Sequence, residues 1–252
     1  MAGITNETGT GFHASKDMTV TEGQTQIHIS FTVNKDKPLT KEEAAECGIT
    51  LSQDGRTASG TVPCATAAYT FSKLPGNLEE LMTIPLDTMF SPMAAGIAAV
   101  ASYRPGAYTM QTLDQCPQLS MFEYLNGPGF AIANVARQNM FITMRTTLEG
   151  YGGPAQGSPF MYFDGAAPAN GYTPNEPYTF TLVHGPYQVP ASPNYATGGM
   201  YPVRQMILIS FAGDDSQRYC DVYQSQRDQK WYIFNDSWQH LVAGAKPAQI
   251  IY

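Results

Sequence analysis

The sequence predicts an α+β protein, with a central helical cluster packed on a C-terminal antiparallel β-sheet and a β-rich element at the N-terminus. Three observations support this fold class. Residues 25–33 alternate polar and apolar side chains, the pattern of a strand with one buried face. Residues 74–147 contain successive helical segments separated by proline and glycine. From residue 159 onward the chain is rich in short runs of β-branched and aromatic residues.

The N-terminal quarter begins without periodicity. Residues 1–24 are rich in Thr, Gly and Asn and are predicted to form an irregular arm. The strand at 25–33 follows, and Thr40 with Glu43 forms a capping box at the start of a short helix. We expect Gly48 to end that helix, because glycine readily adopts the left-handed conformation of a helix C-terminus.

A hairpin is predicted next. Asp54 and Gly55 separate two strand-like runs, and this dipeptide is typical of a type I′ turn with positive φ at both residues. We therefore assign 25–72 to a small β-rich element and 73–252 to a module of helices followed by antiparallel strands.

Proline and glycine delimit the three helices of the central cluster. Pro92 begins the first, which stops before Pro105, and Pro117 begins the second, which Gly127 ends. The third and longest is predicted over 130–147. The closing segment SWQHLVAG, residues 237–244, is predicted to be either a short helix or a tail. The strands of the C-terminal sheet are predicted at 159–165, 178–183, 204–212, 219–225 and 230–236.

The composition excludes several classes of partner. Only 14% of the residues are charged, against about 25% in a typical soluble domain. The net charge is −7, and no basic cluster is dense enough to neutralise several phosphates, so we expect no nucleic-acid partner. No apolar run approaches the roughly 18 residues that span a bilayer, so we expect no membrane partner. The partners that the composition still allows are another protein and a second copy of this chain.

The N-terminal sequence lacks the basic start and apolar core of a secretory signal. We therefore expect a cytoplasmic protein, or one exported without a conventional signal peptide.

The cysteines and histidines show no recognisable metal or redox motif. Cys47, Cys64, Cys116 and Cys220 include no C-x-x-C pair, and they are either free thiols or two disulfides. The four histidines lack any ligand spacing. We predict no metal and no cofactor.

One catalytic arrangement is an open alternative. Cys220 with His240 or His184, and with Asp164, would make a non-standard Cys/His/Asp hydrolase site, because an imidazole can deprotonate a thiol. Cys220 falls inside an apparent strand, however, where a cysteine most often only packs. We therefore assign no catalytic residue.

The most specific pattern is the segment 162–182, YFDGAAPANGYTPNEPYTFTL. Its prolines and glycines predict an ordered loop before a strand. The run Tyr-Phe-x-Gly-Ala-x-Pro-x-Asn-x-Tyr-Thr-Pro-x-x-Pro-Tyr-Thr resembles a bacterial domain-of-unknown-function family, number 6935, and the resemblance extends over roughly residues 74–247. The matching residues are Tyr162, Phe163, Gly165, Ala166, Pro168, Asn170, Tyr172, Thr173, Pro174, Pro177, Tyr178 and Thr179.

The resemblance implies a bacterial or phage origin and a compact helical-then-β module, but no activity. Two departures from the family pattern are visible. One is an extended loop at 188–202, and the other is AGDDSQRY at 212–219, where the family commonly has Gly-Gly-Ala-Asp-Ser-x-Arg-Pro.

The binding surface is predicted in the extended loop. Tyrosines on ordered loops offer a large contact area at a small entropic cost. We therefore expect a non-enzymatic binding or interaction module. The alternatives are a structural assembly component of virion or secretion type and the hydrolase described above. The candidate binding residues are Tyr187, Tyr195, Tyr201, Asp215 and Arg218.

Overall fold

A computed structural model of the protein describes residues 23, 25–33, 38–46, 48–128, 134–150, 152, 157–189, 191–194, 199–213 and 217–242. The strands and α-helices within these ranges are, in chain order, β1 (Gln26–Thr32), α1 (Lys41–Glu46), β2 (Ile49–Leu51), β3 (Thr57–Pro63), β4 (Ala65–Phe71), α2 (Leu78–Leu81), α3 (Ser91–Ala101), α4 (Pro117–Asn126), α5 (Asn134–Met144), β5 (Tyr178–Val189), β6 (Ser192–Asn194), β7 (Gly199–Tyr201), β8 (Arg204–Ile209), β9 (Arg218–Gln224) and β10 (Trp231–Ile233). A π-helical turn, Arg145–Glu149, extends α5, and a 3₁₀ helix, Asn235–Val242, follows β10.

Antiparallel pairing organises these strands. The larger sheet has the order β10-β9-β8-β5-β4, and the smaller has the order β1-β3-β2. Only Cys64 separates β3 from β4, so one nearly continuous stretch of chain passes from the smaller sheet into the larger. The segment 65–71, which lies in the predicted N-terminal element, thus pairs with β5.

The larger sheet is covered on both faces. Successive side chains of a strand point to opposite faces. On β8, Ile207 and Ile209 join the main hydrophobic cluster with residues of α3, α4 and α5. Met206 and Leu208 instead pack with residues of β1, β2 and β3. The layers are therefore helices, five-stranded sheet and three-stranded sheet, and the predicted α+β class is confirmed.

The central helix α3 owes its position to small side chains. All of its 11 residues are buried, and five of them are alanines. A Cβ on Gly96 would lie 2.7 Å from Leu241 Cδ1, so α3 approaches the 235–242 helix closely at this point. Alanine and glycine permit such packing because little side chain separates the two backbones.

Several local predictions are confirmed. The Glu43 N–H donates to Thr40 Oγ1 at 3.1 Å, and the Thr40 N–H donates to Glu43 Oε2 at 2.8 Å, which is the capping box. Helix α4 begins at Pro117 and is followed by Gly127 with φ +76°. The last four predicted strands each overlap an observed strand, namely β5, β8, β9 and β10.

The strand prediction at 159–165 is wrong. The N–H groups of Met161 and Phe163 donate to the carbonyls of Ser158 and Phe160, so this segment is a succession of tight turns. Met161, Tyr162 and Phe163 are all buried, which a strand with one exposed face does not achieve.

The prediction of a type I′ turn at Asp54 and Gly55 is also wrong. Gly55 has φ +68°, but Asp54 is not among the residues with positive φ. The Asp54 carboxylate accepts hydrogen bonds from Ser52 Oγ at 2.7 Å and from the Arg56 N–H at 3.1 Å. This side-chain bonding favours a longer turn, closed by the Gly55 N–H on the Ser52 carbonyl.

Candidate functional site

The segment 162–182 is held by its own side chains. Asn170 Oδ1 accepts from the N–H groups of Ala167 at 2.9 Å and Thr173 at 3.2 Å. Its Nδ2 donates to the carbonyls of Gly165 at 2.7 Å and Thr173 at 3.0 Å. One carboxamide therefore closes the loop with four hydrogen bonds.

The aromatic residues of this segment pack inward. Tyr162 and Phe163 are buried, and the Tyr162 hydroxyl donates to the Leu241 carbonyl at 2.9 Å. Phe163 packs edge-on against Phe180 of β5, with ring centroids 5.5 Å apart. The segment joins the sheet to the 235–242 helix, and these contacts give Tyr162, Phe163 and Asn170 structural roles.

The structure does not bring the Cys/His/Asp alternative together. Thr179 Oγ1 donates to Asp164 Oδ2 at 2.6 Å, which places Asp164 beside the start of β5. In the register of the sheet, Cys220 of β9 lies opposite Ile207 of β8, which in turn lies opposite His184 of β5. His184 is five residues further along β5 than Thr179. Strand geometry then separates Asp164 from Cys220 by roughly 17 Å along β5 and about 10 Å across two strand spacings.

The thiol and the imidazole of this alternative are also poorly placed. Cys220 is fully buried, and burial raises the pKa of its thiol, with the nearby Asp221 carboxylate adding to the effect. The His240 ring packs against the Tyr219 ring at a tilt of 31°, with 4.0 Å between centroids, and neighbouring strand residues point to opposite faces. A protonated thiol is a weak nucleophile.

The described ranges contain no group of three or more His, Cys, Asp or Glu side chains placed to hold a metal ion. In the same ranges, no helix combines the length and the hydropathy that crossing a membrane requires.

The five candidate binding residues fall in different places. Tyr187 lies within β5, while Tyr195 and Asp215 lie outside the described residues. Tyr201 ends β7, and Arg218 begins β9. Tyr201 and Arg218 are thus the two candidates whose side chains the structure describes.

Tyr201 belongs to a two-stranded ribbon, formed by β6 and β7 and continued by Pro202 and Val203, which we call the β6–β7 ribbon. Ser192 pairs with Tyr201, and Pro193 pairs with Met200. Met200 is 62% exposed and Val203 is 43% exposed. Half-buried Tyr201 packs edge-on against Phe234, with ring centroids 5.2 Å apart. The ribbon thus has an anchored aromatic residue and apolar residues facing solvent.

The sequence around the ribbon is uncharged. Residues 185–203 contain no Asp, Glu, Lys, Arg or His, and the run ends at Arg204. Charged side chains are the usual means of keeping exposed strands apart from other chains. This uncharged run of 19 residues is the feature of the sequence that marks the ribbon.

Arg204 lies at the base of the ribbon and was not predicted as a site residue. Its guanidinium lies over the Phe234 ring, 4.3 Å from the centroid, and its Nη1 is 4.0 Å from Asp221 Oδ2. Burial raises the pKa of Asp221, and Arg204 opposes that rise. Phe234 therefore contacts both Tyr201 and Arg204, and couples the ribbon to the sheet.

Arg218 is the first residue of β9. Its guanidinium is 5.8 Å from the centroid of the Phe211 ring. Burial lowers the pKa of His240, and the positive charge of Arg218 lowers it further. Arg218 and Tyr201 are not in one cluster. The candidate site formed by the described residues is therefore the ribbon with Arg204 at its base, and the predicted residue Arg218 lies outside it.

Comparison with known proteins gives one kind of match. A family model described as Domain of unknown function (DUF6935) matches residues 73–249. Comparison with curated proteins and with solved structures found no match.

Proposed function

Because the chain belongs to the DUF6935 family, a domain family of unknown function, we propose its role from its own surface: a non-enzymatic interaction module that binds a protein partner through the β6–β7 ribbon. The observation that carries this proposal is the apolar run at residues 200–203, in which Met200 and Val203 are exposed. Met200 and Val203 face solvent on an ordered ribbon, and the residues between them are Tyr201 and Pro202.

Exposed apolar residues elsewhere are arranged differently. Val135 and Ile142 of α5 are exposed but seven residues apart, and exposed polar Gln138 and Asn139 lie between them in sequence. Isolated apolar residues are normal on a protein surface, whereas contiguous ones mark interaction sites. The ribbon is therefore the better candidate for a contact surface.

The ribbon is also prepared for binding. Backbone pairing with β6 and the contact of Tyr201 with Phe234 hold β7 in one conformation before any partner arrives. Binding then loses less conformational entropy than it would from a flexible loop. Tyrosine and methionine are both common at the centres of protein interfaces.

The chemistry of the partner follows from the lack of charge. An uncharged ribbon gains little from a charged partner surface, so we propose an apolar groove of another protein as its complement. Such binding depends only weakly on salt, since screening acts on charges.

Photo-crosslinking tests this proposal. A photoreactive residue at position 200 should capture a partner from the native lysate, and the double variant M200S/V203S should weaken binding of that partner by about tenfold or more. The matched control is M82S/V135S, which removes two apolar side chains that are 53% and 68% exposed elsewhere. Equal binding by M200S/V203S and the control, at unchanged thermal stability, would contradict the proposal.

A further inference from the structure

The two edge strands of the five-stranded sheet, β10 and β4, differ in length and in their contacts with other segments. At one end, β10 has three residues, and its Trp231 N–H donates to the Leu86 carbonyl at 2.9 Å. At the other end, β4 has seven residues, and within the part of the chain that the structure describes β5 is its only paired strand. Among the described residues, Gly23 approaches β4 near its start, where its N–H donates to Thr66 Oγ1 at 2.9 Å.

Strand β4 lacks the features that protect sheet edges. Its sequence, ATAAYTF, contains no charge and no proline, and its register with β5 runs without a shift from Ala65 opposite His184 to Phe71 opposite Tyr178. The side chains of Ala68 and Thr70 are exposed. A long, regular and uncharged edge offers unpaired N–H and C=O groups to another strand.

We propose that the free edge of β4 pairs antiparallel with β4 of a second copy of this chain, across a two-fold axis at Tyr69. This inference concerns a surface other than the β6–β7 ribbon and goes beyond the proposed function. A two-fold contact uses the same residues on both sides, so the strand has to complement itself.

The sequence of β4 meets that requirement. With Tyr69 opposite its own copy, Ala67 lies opposite Phe71 and Ala68 lies opposite Thr70, and each pair occurs twice. A small side chain thus faces a larger one at every position away from the axis. This register uses residues 67–71 and leaves the contact of Gly23 with Thr66 in place.

Electrostatics favours the same partner. Like charges on opposite strands oppose pairing, and β4 carries none. The nearest charges along the chain after β4 begin at Lys73, whose ammonium group is 2.5 Å from Glu80 Oε1 and is thereby paired. Two identical neutral edges can meet without repulsion, and two five-stranded sheets become one continuous sheet of ten.

The test is the mass of the full chain in solution by sedimentation equilibrium over a wide concentration range. The wild-type protein should rise from 27.4 kDa toward twice that mass. The variant A68K/T70K sets two pairs of lysines opposite each other and should weaken dimerisation by about a hundredfold or more. The control T57K/T61K adds the same charge at exposed positions of β3, an inner strand, and should dimerise as wild type does.

Hydrogen exchange supplies the second measurement. The outward N–H groups of β4 should exchange more slowly as the wild-type concentration rises, and A68K/T70K should show no such dependence. A wild-type protein that stays monomeric overturns the proposal, and so does a variant that dimerises as tightly as wild type. Protection of these groups at every concentration in a monomer would mean that the chain covers the edge itself, which also overturns it.

Two further variants keep the result interpretable. If A68K/T70K fails to fold, as judged by thermal unfolding, A68K alone makes a weaker form of the test, because the two new charges are then diagonal to each other and not directly opposite. M200S/V203S should still dimerise, because the ribbon is not part of this contact. Failure of the dimer therefore leaves the proposed function standing, and failure of the ribbon leaves the dimer standing.

Discussion

The Tyr172 hydroxyl lies directly against Gly213, so that a Cβ on residue 213 would be 2.4 Å from the Tyr172 oxygen. Tyr172 is 2% exposed and has φ +60°, an uncommon conformation for a residue with a large side chain. Gly213 follows β8. The loop that carries the family pattern is therefore locked to the end of the central strand by a contact that needs glycine on one side.

We expect G213A to destabilise the protein by about 1–3 kcal/mol, because the added methyl group forces the Tyr172 ring or the backbone to move. Urea unfolding monitored by tyrosine fluorescence measures the change. The control is G157A, whose Cβ would approach nothing closer than 3.5 Å, an ordinary contact. A G213A protein as stable as G157A would show that Tyr172 is free to move away.

A second pair of glycines shares the same φ but differs in steric contact. Gly127 and Gly106 both have φ +76°, but a Cβ on Gly127 would lie 2.4 Å from Tyr232 Cγ, whereas a Cβ on Gly106 would meet nothing within 4 Å. Alanine strains the backbone at both positions, and by about 1–3 kcal/mol at Gly127, whose φ +76° and ψ 177° lie in a region that almost only glycine adopts. G127A should cost about 1–3 kcal/mol more, since Tyr232 is buried and its ring has little room to shift.

The difference in unfolding free energy between G127A and G106A measures this contact together with the backbone strain peculiar to Gly127. Equal losses would mean that the Tyr232 ring moves aside freely, and that α4 and β10 do not meet as closely as described.

Local patterns predicted the elements well where one residue acts on its neighbours. The capping box of Thr40 and Glu43 and the boundaries of α4 at Pro117 and Gly127 follow from backbone chemistry within a few residues. The alternation that predicts β1 is equally local. These features need no knowledge of the rest of the fold.

The pairing of distant segments was beyond the same reasoning. Nothing in ATAAYTF tells whether β4 continues the small sheet or enters the large one, because both faces of such a strand are mildly apolar. The consecutive buried residues 161–163 resemble a strand, and only their partners in the 235–242 helix and β5 reveal the turns.

The candidate site was predicted only in part, and the reason is again that its residues are distant in sequence. Tyr201 stands out in a tyrosine-rich loop, but Arg204 acquires meaning only through Phe234, which is 30 residues away in sequence. Asp164 and Cys220 were considered together because of their chemistry, and the register of β5, β8 and β9 separates them.

Glu149 provides a test that depends on pH. Its carboxylate accepts hydrogen bonds from the Tyr103 hydroxyl, from the Gly106 N–H at 2.9 Å and from Arg145 Nε at 3.0 Å. Burial alone would raise the pKa of Glu149, but the three hydrogen bonds and the positive charge of Arg145 together lower it. The ionised carboxylate therefore ties the π-helical turn to the segment after α3.

The direction of the pH effect follows from proton binding. The folded protein binds the Glu149 proton less readily than the unfolded chain does, so this contribution is full above the unfolded pKa. It decreases as the pH falls through the lower folded pKa. E149Q should lose about 1–3 kcal/mol at pH 7, since the amide places a donor against Arg145.

Urea unfolding at a series of pH values checks both statements. The stability difference between wild type and E149Q should begin to shrink below about pH 4.5, where Glu149 of the unfolded wild-type chain gains its proton. It should be lost once the pH is below the lower folded pKa. E46Q, which changes an exposed carboxylate of α1, should remain within about 0.5 kcal/mol of wild type throughout. A difference between wild type and E149Q that is constant with pH would show that lost packing, and not lost charge, explains the effect.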